Sequence, residues 1–227
     1  MPKSRAHRRA LIVIDVQNEY VSGALPIEYP PPAQTLPNIG RAIDHARQHR
    51  IPVVVVRQIA AAGSPLFARG SHGAQLHEAV ASRPHGHLID KTLPSAFAGT
   101  DLADWLAAHE IDTLSVLGYM THNCVDATIR QALHMGLEVE FLHDASGSVS
   151  YANRAGQARA EDIHRAFSVV LQSRFAAVLG TDEWIACVDL GIEPERDSIY
   201  WSHARGLASA ADAAARSAAD PATVPIT

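Results

Sequence analysis

The stretch of sequence that decides the fold is TLSVLGYMTHNCVDATIRQALHMG, residues 113–136. Its first part, Thr113–Gly118, is short, apolar and rich in branched side chains, which is typical of a strand buried on both faces. Apolar residues then recur at helical spacing, at Val125, Ile129, Ala132 and Leu133. Gly136 follows where a left-handed residue would end that helix. The stretch therefore predicts a strand followed directly by a helix, the unit from which parallel sheets are built.

The same alternation extends in both directions along the chain. Further strands are predicted at Ala10–Ile14, Ile51–Val56, Leu88–Asp90, Leu137–Leu142 and Ala176–Leu179. Helical periodicity is found near residues 39–46, 102–109 and 161–172. We predict an α/β fold of three α-β-α layers, with a mostly parallel sheet of roughly six strands and helices on both faces. Ligands of such sheets bind beyond the carboxyl ends of the strands.

Two long loops and a terminal tail interrupt this alternation. Residues 20–37 contain five of the 13 prolines, and residues 57–87 are rich in Gly, Ser and His. Both loops leave the carboxyl end of a strand, so we expect them to bind ligand. Residues 1–205 are predicted to form a single domain. Residues 206–227 are rich in Ala, Ser and Asp and are expected to be a tail that is either a frayed helix or disordered.

Composition excludes several classes of protein. The 227 residues are 47% hydrophobic and 19% charged, with a net charge of −5, which favours a globular protein without the basic excess of a nucleic-acid binder. Two cysteines form no disulfide framework and favour a reducing compartment. The apolar run Ala10–Ile14 is interrupted by Asp15 and is too short for a signal core or a membrane span. We therefore expect a cytoplasmic protein with no nucleic-acid or membrane partner.

Three reactive side chains lie at or just beyond the ends of predicted strands: Asp15, Lys91 and Cys124. A nearby ammonium would keep a partly desolvated carboxylate ionised. The start of a helix would lower the pKa of the Cys124 thiol. Nucleophile, base and cation together suit acyl transfer through a thioester. From the residues alone, a buried core cysteine, a turn aspartate and a solvated lysine stay open as the alternative. Cys187 is interpreted as a core residue.

Three segments carry a family resemblance. Residues 118–132 contain Gly118, Thr121, Cys124-Val125 and Thr128-x-Arg130-x-Ala132, residues 11–18 end in Asp15-x-Gln17-Asn18, and residues 91–97 read KTLPSAF. In this order they resemble the isochorismatase-like cysteine hydrolases, over roughly residues 8–185. The resemblance implies the isochorismatase-like, Rossmann-like fold. It also indicates the amidohydrolase branch, which is related to nicotinamidase, N-carbamoylsarcosine amidase and ureidoacrylate amidohydrolase.

The resemblance also implies roles for individual residues. Cys124 is similar in position to the family's nucleophile, Asp15 to the base that takes the thiol proton, and Lys91 to the cation that holds Asp15. It implies a cis peptide between Tyr119 and Met120. The backbone amides of Met120 and Cys124 would then form the oxyanion hole.

Five further residues are candidates for the substrate pocket: Gln17, Tyr20, Phe97, His122 and Asn123. Tyr20 and Phe97 follow the Asp15 and Lys91 segments, where aromatic residues often line the pocket in the resembled family. Core packing is an equal alternative for these two side chains. Helix capping is an equal alternative for Asn123.

Because Cys124 is present, the resemblance implies cleavage of a C–N bond in a small amide, lactam, or carbamoyl or ureido compound. The alternatives are an isochorismatase-type vinyl-ether hydrolase, a nicotinamidase-like enzyme, and a non-catalytic binding module. Residues 56–61 read VRQIAA and lack the Asp-x-His metal ligands of nicotinamidases. We therefore expect no cofactor and no catalytic metal. The resemblance further implies a homo-oligomer, a dimer or tetramer.

Overall fold

A six-stranded, all-parallel sheet forms the centre of the computed structural model, which describes residues 7–219. The strand order is β3-β2-β1-β4-β5-β8. The strands are β1 (Arg9–Ile14), β2 (Val53–Gln58), β3 (His87–Lys91), β4 (Thr113–Tyr119), β5 (Glu138–Gly147) and β8 (Ala177–Leu179). A separate antiparallel hairpin consists of β6 (Tyr151–Asn153) and β7 (Gly156–Ala158). Each strand predicted from the sequence is present, and its ends differ from the prediction by no more than two residues, except that β5 continues five residues beyond Leu142.

Helices cover both faces of the sheet and complete the three layers. They are α1 (Pro32–Gln48), α2 (Glu78–Ala81), α3 (Leu102–Ala108), α4 (Asp126–His134), α5 (Ala160–Val170), α6 (Thr181–Leu190) and α7 (Ile199–Ala219). One apolar cluster joins α1, α2 and α6 to one face of the sheet, for example through Ile43, Val80 and Trp184. A second cluster joins α3 and α4 to the other face, for example through Leu106 and Ile129. The α/β fold class is confirmed.

Helix α1 begins earlier than the proline content suggested. The loop predicted over residues 20–37 ends at Pro31, because Pro32 occupies the first helical position. The missing N–H of a proline costs nothing there, and its fixed φ suits the helix. The loop that we expect to bind ligand at this position therefore comprises only the residues before α1.

The chain after residue 180 contains two helices, of which the sequence pattern did not predict α6. Helix α7 spans the boundary that we had drawn at residue 205, and residues 206–219 are helical, which was one of the two alternatives for the tail. Their alanine-rich composition has high intrinsic helix propensity. Residues 220–227 of the expected tail lie outside the described residues. No helix of the described chain combines the length and apolarity needed to cross a membrane.

Gly118 allows the end of β4 to approach the end of β1. Its φ is +109°, and a Cβ atom at this position would collide with the carbonyl oxygen of Ile14. Glycine alone tolerates both the backbone angle and the close approach. Because Ile14 precedes Asp15, this contact brings the segment after β4, which contains Cys124, next to the carboxyl end of β1.

Candidate active site

The three reactive residues predicted from the sequence meet at the carboxyl edge of the sheet. The Lys91 Nζ atom lies 2.8 Å from Asp15 Oδ2 and 3.2 Å from Cys124 Sγ. The side chains of Asp15 and Lys91 have no exposed surface, and Cys124 is 5% exposed. The ammonium group therefore bridges a carboxylate and a sulfur atom in a site nearly closed to water.

Local backbone geometry holds the carboxylate in place. Asp15 has a φ of +51°, an uncommon angle for a residue other than glycine, and such angles concentrate at functional sites. Its N–H donates to the carbonyl of Val56, and its own carbonyl accepts from the N–H of Gln17. Lys91 ends β3, in register with Gln58 at the end of β2, and its Nζ donates to Gln58 Oε1 at 2.8 Å. The chain thus turns sharply at Asp15, and the hydrogen bonds to Val56 and Gln17 fix the backbone of this residue.

Burial controls the protonation of the cluster. It raises the pKa of Asp15 against the opposing effect of the Lys91 charge, which makes the carboxylate a stronger base than an exposed one. Burial is the largest single effect on Lys91 and would lower its pKa. The charges of Asp15 and Cys124 and the hydrogen bonds to both groups together outweigh burial, so the pKa of Lys91 is raised and the ammonium keeps its proton.

The expectation of a lowered thiol pKa is not met. Burial, followed by the charge of Asp15, raises the pKa of Cys124 to about 12, against the opposing effect of Lys91. The helix that follows Cys124 does not offset this loss of hydration. At neutral pH the resting thiol therefore keeps its proton, and a base must remove it when the sulfur reacts.

Cys124 lies in one π-helical turn, Thr121–Val125, that leads into α4. The carbonyl of Met120 accepts hydrogen bonds from the amides of Asn123 and Val125, which ties the turn to the end of β4. The peptide bond between Tyr119 and Met120 is cis. The role of the Met120 and Cys124 amides as an oxyanion hole stays a prediction.

A cavity of about 420 Å³ opens onto Cys124. Its wall is mostly apolar and aromatic, with a few neutral polar groups. The lining residues are Tyr20, Leu25, Gln58, Leu66, Phe67, Thr92, Pro94, Met120, Asn123, Cys124 and Tyr151. No charged side chain occurs among these lining residues, so the cavity suits a small neutral molecule.

The five predicted pocket residues have different positions. Tyr20 and Asn123 line the cavity. Phe97 does not line it, because its ring packs in the apolar cluster beneath Cys124. His122 borders a neighbouring cavity, where its Nε2 lies 3.0 Å from the Tyr151 hydroxyl. Burial lowers the pKa of His122, which favours the neutral ring.

Gln17 is fully buried and contacts backbone rather than the cavity. Its Nε2 donates to the carbonyls of Gln58 and Ala74 at 2.9 and 2.8 Å, and its Oε1 accepts from the Gln58 N–H at 2.9 Å. The side chain thereby satisfies both backbone groups of Gln58, the residue that positions Lys91. Of the two residues in the pattern Asp15-x-Gln17, Asp15 belongs to the reactive cluster and Gln17 holds the surrounding backbone in place.

We expect Gln17→Ala to lower the free energy of unfolding by about 2–4 kcal/mol, because one buried and two partly buried backbone groups lose their partners. Urea unfolding followed by circular dichroism measures this change. Gln48→Ala, at an exposed position near the end of α1, is the matched control and should change the free energy by less than about 0.5 kcal/mol. Equal stability of the two variants would contradict the structural role of Gln17.

Sequence reasoning missed several residues of the site. Gln58 could have been found, because it ends β2 beside Lys91 on β3 and the ends of parallel strands meet at one edge. Tyr151 could not have been found, since β6 is a three-residue exposed strand without apolar periodicity. The apolar residues Leu25, Leu66 and Phe67 belong to loops whose path no local pattern reveals.

The fold and the site together define a three-layer α/β protein with a buried Asp–Lys–Cys cluster at the carboxyl edge of its sheet. The sequence matches the family model described as Isochorismatase domain over residues 9–183. The chain therefore belongs to the isochorismatase family and is a hydrolase of that family.

Three similar proteins illustrate the range of this match. The solved structure of a candidate isochorismatase from Burkholderia xenovorans LB400 is 63% identical, with a TM-score of 0.90, and the match covers 91% of this chain and 100% of that one. The uncharacterized isochorismatase family protein YddQ of Bacillus subtilis (strain 168) is 30% identical over 178 residues, covering 78% of this chain and 98% of YddQ. N-carbamoylsarcosine amidase of Arthrobacter sp is 28% identical over 147 residues, covering 57% of this chain and 56% of the amidase.

Proposed function

We propose that the protein is a cysteine hydrolase that cleaves a C–N bond of a small neutral amide, lactam, or carbamoyl or ureido compound. The observation that carries this proposal is the buried Lys91 ammonium, 2.8 Å from the Asp15 carboxylate and 3.2 Å from the Cys124 sulfur. The similarity to an enzyme named as an amidase supports the bond type.

In the first half of the reaction, Cys124 Sγ attacks the amide carbonyl and its proton passes to Asp15. The raised pKa of Asp15 suits this transfer, because the carboxylate is a stronger base than an exposed one. The oxyanion that forms would be bound by the backbone amides of Met120 and Cys124. Asp15 then returns the proton to the leaving nitrogen as the C–N bond breaks, which leaves a thioester on Cys124.

In the second half, water attacks the thioester after the amine has left or, for a lactam, while the freed amine stays attached to the acyl group. Asp15 takes a proton from this water, and the C–S bond breaks to release a carboxylic acid or, from a carbamoyl thioester, a carbamic acid. The proton returns to the sulfur, which restores the resting thiol. Lys91 stays protonated throughout, because the negative charge around it raises its pKa. It holds Asp15 in position and balances the charge of the pocket.

The lining of the cavity argues against the vinyl-ether alternative. Isochorismate carries two carboxylates, and each would need a cation or several hydrogen bonds when buried. The cavity lining contains no charged residue, and the nearby Lys91 is already paired with Asp15. The intact Asp–Lys–Cys cluster likewise argues against a non-catalytic binding module.

A hydrolysis screen tests the proposed substrate class. We expect neutral carboxamides and ureido compounds with apolar acyl groups to release ammonia. Their carboxylate-bearing analogues should react with a kcat/KM at least about tenfold lower, because the buried charge has no partner. Ammonia release in a coupled assay measures both sets. Turnover of isochorismate without turnover of any amide would reject the proposal.

We expect exhaustive dialysis against a chelator to leave amide turnover unchanged. At the end of β2, where nicotinamidases carry metal ligands, Arg57 pairs with Asp90 and Gln58 accepts from Lys91. A cation next to Asp15 would also be repelled by the Lys91 ammonium. Turnover measured before and after dialysis checks this expectation. Activity that disappears and returns with added Zn²⁺, Mn²⁺ or Fe²⁺ would contradict it.

Exposed aromatic side chains on α7 and the low cysteine content bear on assembly and compartment. We propose a cytoplasmic homo-oligomer, a dimer or tetramer, whose contacts include apolar side chains of α7. Tyr200 and Trp201 on this helix are 70% and 60% exposed, an unusual state for aromatic side chains of this size. Two cysteines in 227 residues are too few for a disulfide framework, which supports a reducing compartment.

A further inference from the structure

Two histidines and an aspartate converge where the end of α1 packs beside the end of α6. His45 lies in the last turn of α1, His49 directly follows that helix, and Asp189 lies near the end of α6. Asp189 Oδ1 is 3.0 Å from His45 Nε2 and 2.9 Å from His49 Nε2. One potential donor atom from each residue lies within 4.8 Å of the other two.

We propose that His45, His49 and Asp189 form a binding site for a divalent transition metal ion, with Zn²⁺ as the probe of choice. Two imidazoles and one carboxylate are a ligand set that Zn²⁺ accepts, with water in the fourth position. Zinc–ligand distances of about 2.0–2.1 Å place tetrahedral donor atoms about 3.3 Å apart. Side-chain rotations that move the donor atoms by about 1 Å bring the three donors to this spacing.

The environment of His45 supports binding of a ligand to its ring. Its Nε2 atom is buried and makes no well-aligned hydrogen bond within the part of the chain that the structure describes, and the Asp189 carboxylate is a charged neighbour at 3.0 Å. The His45 ring packs edge-on against the buried Trp184 ring at 5.9 Å and lies 4.4 Å from the His49 ring. The helices therefore hold one donor firmly, while the half-exposed Asp189 carboxylate can adjust to a metal ion.

This site is separate from the proposed catalytic one. Helix α1 runs from the carboxyl edge of the sheet back to the start of β2, and α6 leaves β8 in the same direction. The ends of both helices therefore lie at the amino edge of the strands, opposite Cys124. A metal ion there would link α1 to α6 and stabilise the fold without entering the reaction.

Zinc binding to the full-length protein tests the proposal directly. After removal of bound metal, we expect titration with ZnCl₂ against a chromophoric chelator to give one equivalent bound. We expect Zn²⁺ to raise the Tm, because it binds the folded state only. His49→Ala and Asp189→Asn should each weaken binding more than about tenfold and abolish the rise in Tm. Both positions are exposed on the helix ends, so folding should be retained, as circular dichroism will show.

His87→Ala is the matched control, because His87 also pairs with a carboxylate, that of Asp101, at 3.1 Å. It should bind Zn²⁺ like the wild type. Binding that is absent in the wild type, or unchanged in both His49→Ala and Asp189→Asn, would overturn the proposal. In that case Asp189 would be only a charged neighbour of the two histidines. Amide turnover with and without Zn²⁺ reports separately on the proposed function.

Discussion

Cys124→Ala should lower kcat/KM by at least about 1000-fold, the largest effect that we expect of any single substitution. The loss is large because no thioester can form without the sulfur, and removal of a nucleophile disables the steps that depend on it. The small buried side chain can be replaced by alanine with little change in packing, so the variant should fold. Steady-state ammonia release and circular dichroism measure the two properties.

Cys187→Ala is the matched control for this substitution. Cys187 is also a buried free thiol, but it lies on α6, away from Asp15 and Lys91. It should keep nearly wild-type turnover. Mass spectrometry during turnover of a slow substrate should show the acyl group on the peptide that contains Cys124. More than a tenth of wild-type activity in Cys124→Ala would reject the covalent mechanism.

Asp15→Asn should lower kcat/KM by at least about 100-fold, the contribution expected from a positioned general base. An amide keeps the size of the side chain but cannot accept the proton of a thiol whose pKa is about 12. Alkylation of Cys124 by iodoacetamide at neutral pH should slow for the same reason. Asp90→Asn, which removes an aspartate from the Arg57 ion pair on the surface, is the matched control and should react normally.

The pH profile gives a second measurement of the role of Asp15. The carboxylate must be ionised to act as the base, and its pKa is raised by burial. Activity should therefore fall as the pH falls through this raised pKa, at a midpoint above the value of about 3.9 for an exposed aspartate. An acid limb at or below that value would contradict the assignment.

Removal of the Asp15 charge in Asp15→Asn also leaves Lys91 buried without its partner, so the folding of this variant is checked by urea unfolding.

Much of the fold could be predicted from local sequence because buried parallel strands are short, branched and apolar. Ala10–Ile14 and Thr113–Gly118 show this pattern directly. Helix α6 was missed because only a few of its side chains, such as Trp184, face the core. Arg9, which begins β1, forms a buried ion pair with Glu140 on β5. That pairing joins residues far apart in sequence, and no local pattern reveals it.

The catalytic candidates could be predicted as a group, whereas their electrostatics and the pocket could not. Strand ends meet at one edge of a parallel sheet, so Asp15, Lys91 and Cys124 were expected near one another. The raised pKa of Cys124 depends on complete burial, which a sequence does not report. Gln17 and Phe97 were assigned to the pocket from their neighbours in sequence. In the structure the Gln17 side chain forms hydrogen bonds to backbone groups, and the Phe97 ring packs in the core.

The reactive groups and the walls of the cavity come from different kinds of structure. Asp15 and Lys91 are fixed at strand ends, whereas Leu25 and Leu66 belong to surface loops and Tyr151 to the small hairpin of β6 and β7. The reactive groups and this part of the cavity wall can therefore vary independently in sequence. We expect that exchange of the hairpin would change which molecules the cavity accepts and would leave Asp15, Lys91 and Cys124 in place, because none of these three residues belongs to the hairpin.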